Sequence, residues 1–227
     1  MVILQNKQMK VLVFDTETTG LPIGRNPLVA DVDKWPHIIQ ISFILYESDT
    51  VDMIICKDHI IKLDDSVDIS PESVRIHGIT RSQSMRKGID IREALDDFNA
   101  ALNQADCVVG HNISFDKRMV MAESNRLHIP QYFTNRNGYG KKEYCTMKNS
   151  TTLCKIEAVS RSGNTYYKYP KLDELHQHLF ISYPNGTHDS MGDVLICLRC
   201  YGYMAHKHDI VKNGSTKLRN LYKRYCE

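Results

Sequence analysis

Lys10-Val11-Leu12-Val13-Phe14-Asp15-Thr16-Glu17-Thr18-Thr19-Gly20 is a short β-rich apolar run that stops on a polar cluster. Side chains two apart on a strand leave the same face, so Asp15 and Glu17 at its end converge on one point. Alone, Asp15 to Gly20 is equally compatible with a simple polar turn. Residues 22–36 hold Pro22, Gly24, Pro27 and Pro36 and read as a loop. Residues 37–46 and 51–61 are β-branched runs separated by Glu47-Ser48-Asp49-Thr50, which predicts a hairpin. Pro71 and Gly78 suit the first turn and the C′ position of a helix, and Ile91, Leu95, Phe98 and Leu102 keep helical spacing toward Ala105. Cys107-Val108-Val109 reads as a buried strand, with Ser114 the expected N-cap of a helix running toward Leu127. After a loop at 135–142, Tyr144-Cys145-Thr146 is the expected fifth strand. Ser162-Gly163-Asn164 predicts a second hairpin, and helices are expected over 172–180, 189–205 and 215–225. Strands first, then strands alternating with helices, predict the α/β class: a mixed sheet covered by helices.

Composition narrows the chemistry. The chain has 227 residues, 42% apolar and 25% charged. One domain over 1–227, with a basic C-terminal helix at about 207–227, fits the usual ~100–200 residues per domain. Lys plus Arg total 29 against 27 Asp plus Glu, a net charge of +2. That balance excludes a histone-like protein or an acidic disordered tail, and it argues against nucleic acid as a partner, because duplex binders usually carry a plainly basic face. No apolar run approaches the ~18 residues of a membrane span. Gln5, Asn6, Lys7, Gln8 and Lys10 leave no signal-peptide core, so a secretory leader is not expected. Seven scattered cysteines read as reduced thiols in an intracellular compartment, cytoplasmic or nuclear and not secreted. Cys197-Leu198-Arg199-Cys200 lacks a second pair at zinc spacing and is expected to pack in the core. His176/His178 and His206/His208 alternate at two, which points them apart on a helix, and they are expected at the surface.

Two further acids extend the Asp15/Glu17 pair. Asp116 lies just past the buried strand at 107–109, in the first turn of the next helix. An acid there can serve the helix dipole or stand at the carboxyl edge of the sheet, where open α/β sheets bind ligands. Five helical residues turn ~500°, so on one continuous helix His188 and Asp193 would diverge by ~140°. They share a site only with His188 in the entry loop and Asp193 one turn inside, which Asn185-Gly186-Thr187 permits. Four converging carboxylates cannot all stay ionised without cations, and hard oxygen donors select Mg²⁺ or Mn²⁺ over zinc. Two such ions ~3.5–4 Å apart can clamp the attacking and leaving oxygens of a phosphodiester. An imidazole at the rim can take a proton from the attacking water. Acids counted as repulsive to nucleic acid in the +2 balance then become the groups that recruit cations bridging protein to phosphate.

At these residues the chain resembles a known family. Phe14-Asp15-Thr16-Glu17-Thr18-Thr19-Gly20-Leu21 resembles the first exonuclease motif of the DnaQ-like (DEDDh) superfamily, and His111-Asn112-Ile113-Ser114-Phe115-Asp116 the second. His188-Asp189-Ser190-Met191-Gly192-Asp193 is similar to the third, in the version with histidine five residues before the aspartate. The resemblance implies a ribonuclease-H-like fold, a mixed five-stranded sheet of three antiparallel and then two parallel strands flanked by helices. It implies 3′→5′ exonuclease activity that releases nucleoside 5′-monophosphates and uses two Mg²⁺ or Mn²⁺ ions. Asp15, Glu17, Asp116 and Asp193 would be the metal ligands, with Asp15 bridging, and His188 the general base. Thr18, Gly20 and Leu21 would line the pocket of the terminal nucleotide, with Phe115 beside it. His77-Gly78-Ile79-Thr80 resembles the segment that closes over that nucleotide, although a helix C-cap reads the same residues equally well.

The expected substrate is a 3′ end of nucleic acid, single-stranded or frayed. DNA is favoured over RNA because Cys145-Thr146-Met147 and the segment from His77 look nearer the DNA-degrading branch. An exoribonuclease of the same family is the nearest alternative. A non-catalytic nucleic-acid-binding subunit is a third reading, opposed by all five catalytic positions holding the right residue types. Too few residues follow Asp193 for a polymerase domain, so a polymerase or repair partner would act in trans.

Overall fold

The computed structural model describes residues 9–134 and 137–227. Most of the stretch read as lacking a leader, and two positions of the 135–142 loop, lie outside the described residues. Five strands form the central sheet: β1 (Lys10–Thr18), β2 (Ile38–Glu47), β3 (Asp52–Ile60), β4 (Cys107–Gly110) and β5 (Lys142–Cys145). Their order is β3-β2-β1-β4-β5; β1, β2 and β3 pair antiparallel, while β4 joins β1, and β5 joins β4, in parallel. This is the mixed five-stranded α/β sheet expected.

Helices α1 (Pro71–His77), α2 (Arg81–Lys87) and α3 (Ile91–Gln104) lie between β3 and β4, and α4 (Ile113–Arg126) links β4 to β5. Then follow α5 (Thr146–Cys154), a hairpin of β6 (Glu157–Val159) and β7 (Thr165–Tyr167), α6 (Leu172–Phe180), α7 (Ser190–His206), α8 (Ile210–Asn213) and α9 (Thr216–Cys226). Among the described residues, no helix is long and apolar enough to cross a membrane.

The alternation of β1 divides the core in two. Leu12 and Phe14 pack with Phe98 and Val120 of α3 and α4, whereas Val11 and Val13 pack with Leu195 and Leu198 of α7. Phe98 anchors the first half, its ring 5.1 Å from that of Phe14 and 5.4 Å from that of Phe43. Emptying such a site costs about 3–5 kcal/mol. Helices on both faces explain why β2 is buried along nearly its whole length and reads as a continuous apolar run.

Local chemistry sets the helix ends. Ser70 Oγ accepts from Ser73 N at the start of α1, and Gly78 closes it at φ 72°. Three expectations need correction. Asn112 at φ 68°, not Ser114, stands at the N-cap of α4, because the chain turns through the left-handed region directly after β4. Strand β5 stops at Cys145, and Thr146 already opens α5. His176 is buried rather than superficial: Nε2 lies 2.9 Å from Tyr222 Oη, Nδ1 2.7 Å from Ser182 O, and Arg199, paired with Asp209, is 3.1 Å away. Cys197 and Cys200 pack in the core as expected, and all seven cysteines are free thiols.

Candidate active site

Strand parity places the first two acids. Asp15 and Glu17 share the face of Val11 and Val13, the side that α7 covers, and the register of β1 shifts just beyond Glu17. Asp193 lies in the first turn of α7. The helix is docked there by Ser190, whose Oγ donates to Asp15 O at 2.9 Å and whose N donates to Gln40 Oε1 at 3.3 Å. Asp189 caps α7 by accepting from Met191 N and Gly192 N. Asp15, Glu17 and Asp193 thereby each offer an oxygen within 4.8 Å of the others.

Asp116 is set differently. It rises from α4 on the opposite face, the side of Phe14 and Thr16, and is 3% exposed. Its Oδ1 accepts from Thr16 N at 3.1 Å and from Thr16 Oγ1 at 2.8 Å. The structure brings three acids together and ties the fourth to the residue between the first two.

The cluster is electrostatically expensive. Each of the three is partly buried. Burial, countered by the Ser190 hydroxyl and reinforced by Asp189, pushes Asp15 up to about 7. Burial and the charges of Asp15, Asp193 and Asp116 push Glu17 up to about 9. Asp116 and Asp193 are raised well above the usual carboxylate range, first by burial and then by Asp15, against the hydrogen bonds from Thr16 and from His188 N. Cations relieve this, and a set of carboxylate oxygens alone fits Mg²⁺ or Mn²⁺. Asp15, Glu17 and Asp193 are the residues placed to hold one.

His188 lies in the loop before α7 at φ 71°, exposed, with its backbone N donating to Asp193 Oδ2 at 3.2 Å. His188 and Asp193 line a cleft of about 390 Å³ with His111, Met147, Tyr169 and Lys171. A second cleft, of about 410 Å³, reaches the cluster at Glu17. Glu17, Thr18, Gly20, Leu21, His77 and Phe115 line it, so the five residues named for the terminal nucleotide stand together beside one of the acids. Leu21 is 82% and Ile76 47% exposed, two apolar side chains facing this cleft. His77 Nδ1 accepts from Ile79 N, and burial lowers its pKa against the neighbouring Thr18 backbone.

A family model described as exonuclease matches residues 12–201. The chain belongs to the exonuclease family. No curated protein matches it. Among solved structures, it is similar to E. coli exonuclease I in complex with a 5cy-dT13 oligonucleotide, at TM-score 0.63 and 17% identity over 96% of this chain and 43% of that one. The complex with a dA16 oligonucleotide gives 0.63 and 18% over 96% and 43%, and an apo exonuclease I gives 0.62 and 18% over 94% and 44%. The chain thus spans less than half the length of these proteins, and at such identities the likeness is one of fold.

Several residues of this exonuclease domain escaped the sequence. Thr16 holds Asp116, and Ser190 docks α7 on β1; both sit inside the motifs, but their roles depend on partners far along the chain. His111 is another. Its Nε2 lies 3.0 Å from Pro170 O, which only accepts, so Nε2 carries the hydrogen, and its Nδ1 lies 2.9 Å from Thr146 Oγ1. Burial holds its pKa down at about 4, so the ring is neutral and structural near pH 7.

Proposed function

We propose that this chain is a metal-dependent 3′→5′ exonuclease that hydrolyses the last phosphodiester bond of single-stranded DNA and releases nucleoside 5′-monophosphates. The observation that carries this reading is the convergence of Asp15, Glu17 and Asp193, with Glu17 on the wall of the cleft lined by Thr18, Leu21, His77 and Phe115 and Asp193 on that of His188. The oligonucleotides bound in the similar exonuclease I structures are dT13 and dA16, which supports DNA as substrate.

Asp15, Glu17 and Asp193 would hold divalent ions, two of them in this reading, with Asp116 behind Thr16 adding negative charge. Bound there, Mg²⁺ or Mn²⁺ would supply charge neutralisation at the scissile phosphate and a more acidic attacking water. Leu21 and Ile76 grip the terminal base between apolar surfaces, while Thr18, Gly20 and Phe115 fix its sugar at the edge of β1. His77 closes the cleft from the end of α1. His188 accepts the proton of the attacking water; the water oxygen bonds to phosphorus, and the 3′ oxygen of the preceding nucleotide leaves with the bonding pair and takes a proton from solvent. Exposure of His188 at the rim lets it pass that proton to solvent.

The test is a 5′-labelled single strand, as matched DNA and RNA, incubated with Mg²⁺. Stepwise shortening from the 3′ end of the DNA, stopped by EDTA, is expected. Shortening of RNA alone overturns the choice of DNA, and no shortening of either overturns the enzymatic reading.

A further inference from the structure

The hairpin β6–β7 carries an unusual surface. Tyr166, Tyr167 and Tyr169 are 51%, 46% and 58% exposed, within four residues of one another. The segment 155–171 holds Lys155, Arg161, Lys168 and Lys171 against the single acid Glu157. Tyrosine rings usually bury most of their area, and three left in water on a segment that also exposes Lys155, Arg161 and Lys171 fit a partner with both flat apolar faces and negative charge.

Strand parity separates the rings. Tyr166 pairs across the ribbon with Ala158, and Tyr167 with Glu157, so the two tyrosines leave opposite faces. Lys168 N donates to Ile156 O at 2.9 Å and continues the ladder past β7, and the proline at 170 keeps Tyr169 extended. Tyr169 therefore shares the face of Tyr167, two residues and roughly 6.6 Å further along at ~3.3 Å per residue. A base stacked at ~3.4 Å from each of two rings needs about the same gap.

The track leads to the reaction centre. Tyr169 and Lys171 line the cleft that contains His188 and Asp193. The root of the hairpin is fixed to the catalytic sheet, because Pro170 O meets His111 directly after β4. If the terminal nucleoside occupies the cleft beside Glu17, the strand on the far side of the scissile phosphate has to leave past the acids, and the His188 cleft opens there.

We propose that the Tyr167–Tyr169 face of the hairpin is the track on which single-stranded nucleic acid, 5′ of the terminal nucleotide, approaches the carboxylates. This rests on the exonuclease reading above and deepens it: the enzyme selects unpaired strands because only unpaired bases can stack between the rings. Tyr166, on the other face, takes no part.

The experiment compares degradation of a 5′-labelled 12-nucleotide single strand with that of a dinucleotide too short to reach Tyr167. Tyr167→Ala is expected to lower the preference for the 12-mer about tenfold, the usual worth of one stacked base. Tyr167→Phe, which keeps the ring, is expected to retain the preference, and Tyr166→Ala to leave it within twofold of wild type. Unchanged preference in Tyr167→Ala, or an equal loss in Tyr166→Ala, overturns the proposal. Anisotropy of the labelled 12-mer in EDTA reads the hairpin apart from the chemistry. An enzyme that shortens nothing yet binds the 12-mer about tenfold more weakly as Tyr167→Ala contradicts the exonuclease reading and leaves the track standing. Equal binding by the two proteins overturns the track.

Discussion

Asp15 and Glu17 stand on a nine-residue strand at the centre of the sheet, and the direction of their side chains follows from alternation alone. His188 stands on an exposed loop at positive φ, held by segments far away in sequence. Asn185 N donates to Cys226 O at 3.1 Å, and Asn185 Nδ2 to Glu227 O at 2.8 Å. Gly186, at φ 75°, leaves no room for a side chain: a Cβ there would lie 2.0 Å from Tyr225 O. Gly192 is equally confined, since its Cβ would lie 2.1 Å from Gly186 O. One wall of the site is thus a product of the sheet, and the other is braced by the end of α9. Asp15 and Glu17 sit on the rigid wall, and His188 and Asp193 on the braced one.

Removing an acid from the cluster should have the largest effect. Asp15→Asn or Asp193→Asn is expected to lower kcat by roughly 10³-fold or more, several kcal/mol of charge stabilisation at 1.36 kcal/mol per tenfold. The metal-free variants should nevertheless melt no lower than wild type, because each removes a charge from a self-repelling cluster. Activity near wild type, or a variant that unfolds, would show that the acids serve structure instead.

On the braced wall, His188→Ala is expected to cost on the order of 10²–10⁴-fold in kcat. It should leave KM and thermal stability unaltered, as befits an exposed side chain with no packing role. Gly186→Ala should act through position alone. It should lower kcat about 10- to 100-fold by shifting the histidine loop, cost about 1–3 kcal/mol of stability, and leave Mn²⁺ affinity nearly intact. Loss of metal binding in Gly186→Ala would mean that the two walls are not independent.

The smallest effect is on stability against pH. Asp15 and Glu17 have folded-state pKa values above their unfolded ones, so the fold favours their protonated forms. That contribution is fully present below about pH 4 and is lost as pH rises through about 7 and then about 9. The metal-free protein should therefore melt at progressively lower temperature from pH 5 to pH 9, and saturating Mg²⁺ should flatten the slope. A metal-free melting temperature that rises over this range would refute the repulsive cluster.

The same contrast explains what the sequence disclosed. Sheet class, the first hairpin and the positions of β1 to β4 follow from β-branched runs and turn residues that act locally. The seven-residue α2 and the four-residue α8 carry no strong apolar period, and α5, built from Thr146-Met147-Lys148-Asn149-Ser150, is a weak helix former. Asp15 and Glu17 could be paired from parity, and the convergence of Asp193 could be stated as a condition on where α7 begins. The separation of Asp116 onto Thr16 needed the face of the sheet that α4 covers. The burial of His176 needed Arg199 and Tyr222, partners that no local pattern announces. Gly186 looked like an ordinary loop glycine until the end of α9 was seen against it.

Calorimetric titration of Mn²⁺ into the wild-type protein and Asp15→Asn at pH 7, in two buffers of different ionisation enthalpy, tests the central claim most directly. The wild type should bind Mn²⁺ with release of protons, because carboxyls raised by burial and mutual repulsion must ionise to hold the ion. Asp15→Asn should bind far more weakly. Binding of equal strength by both proteins, or none by the wild type, would contradict a metal site built from Asp15, Glu17 and Asp193.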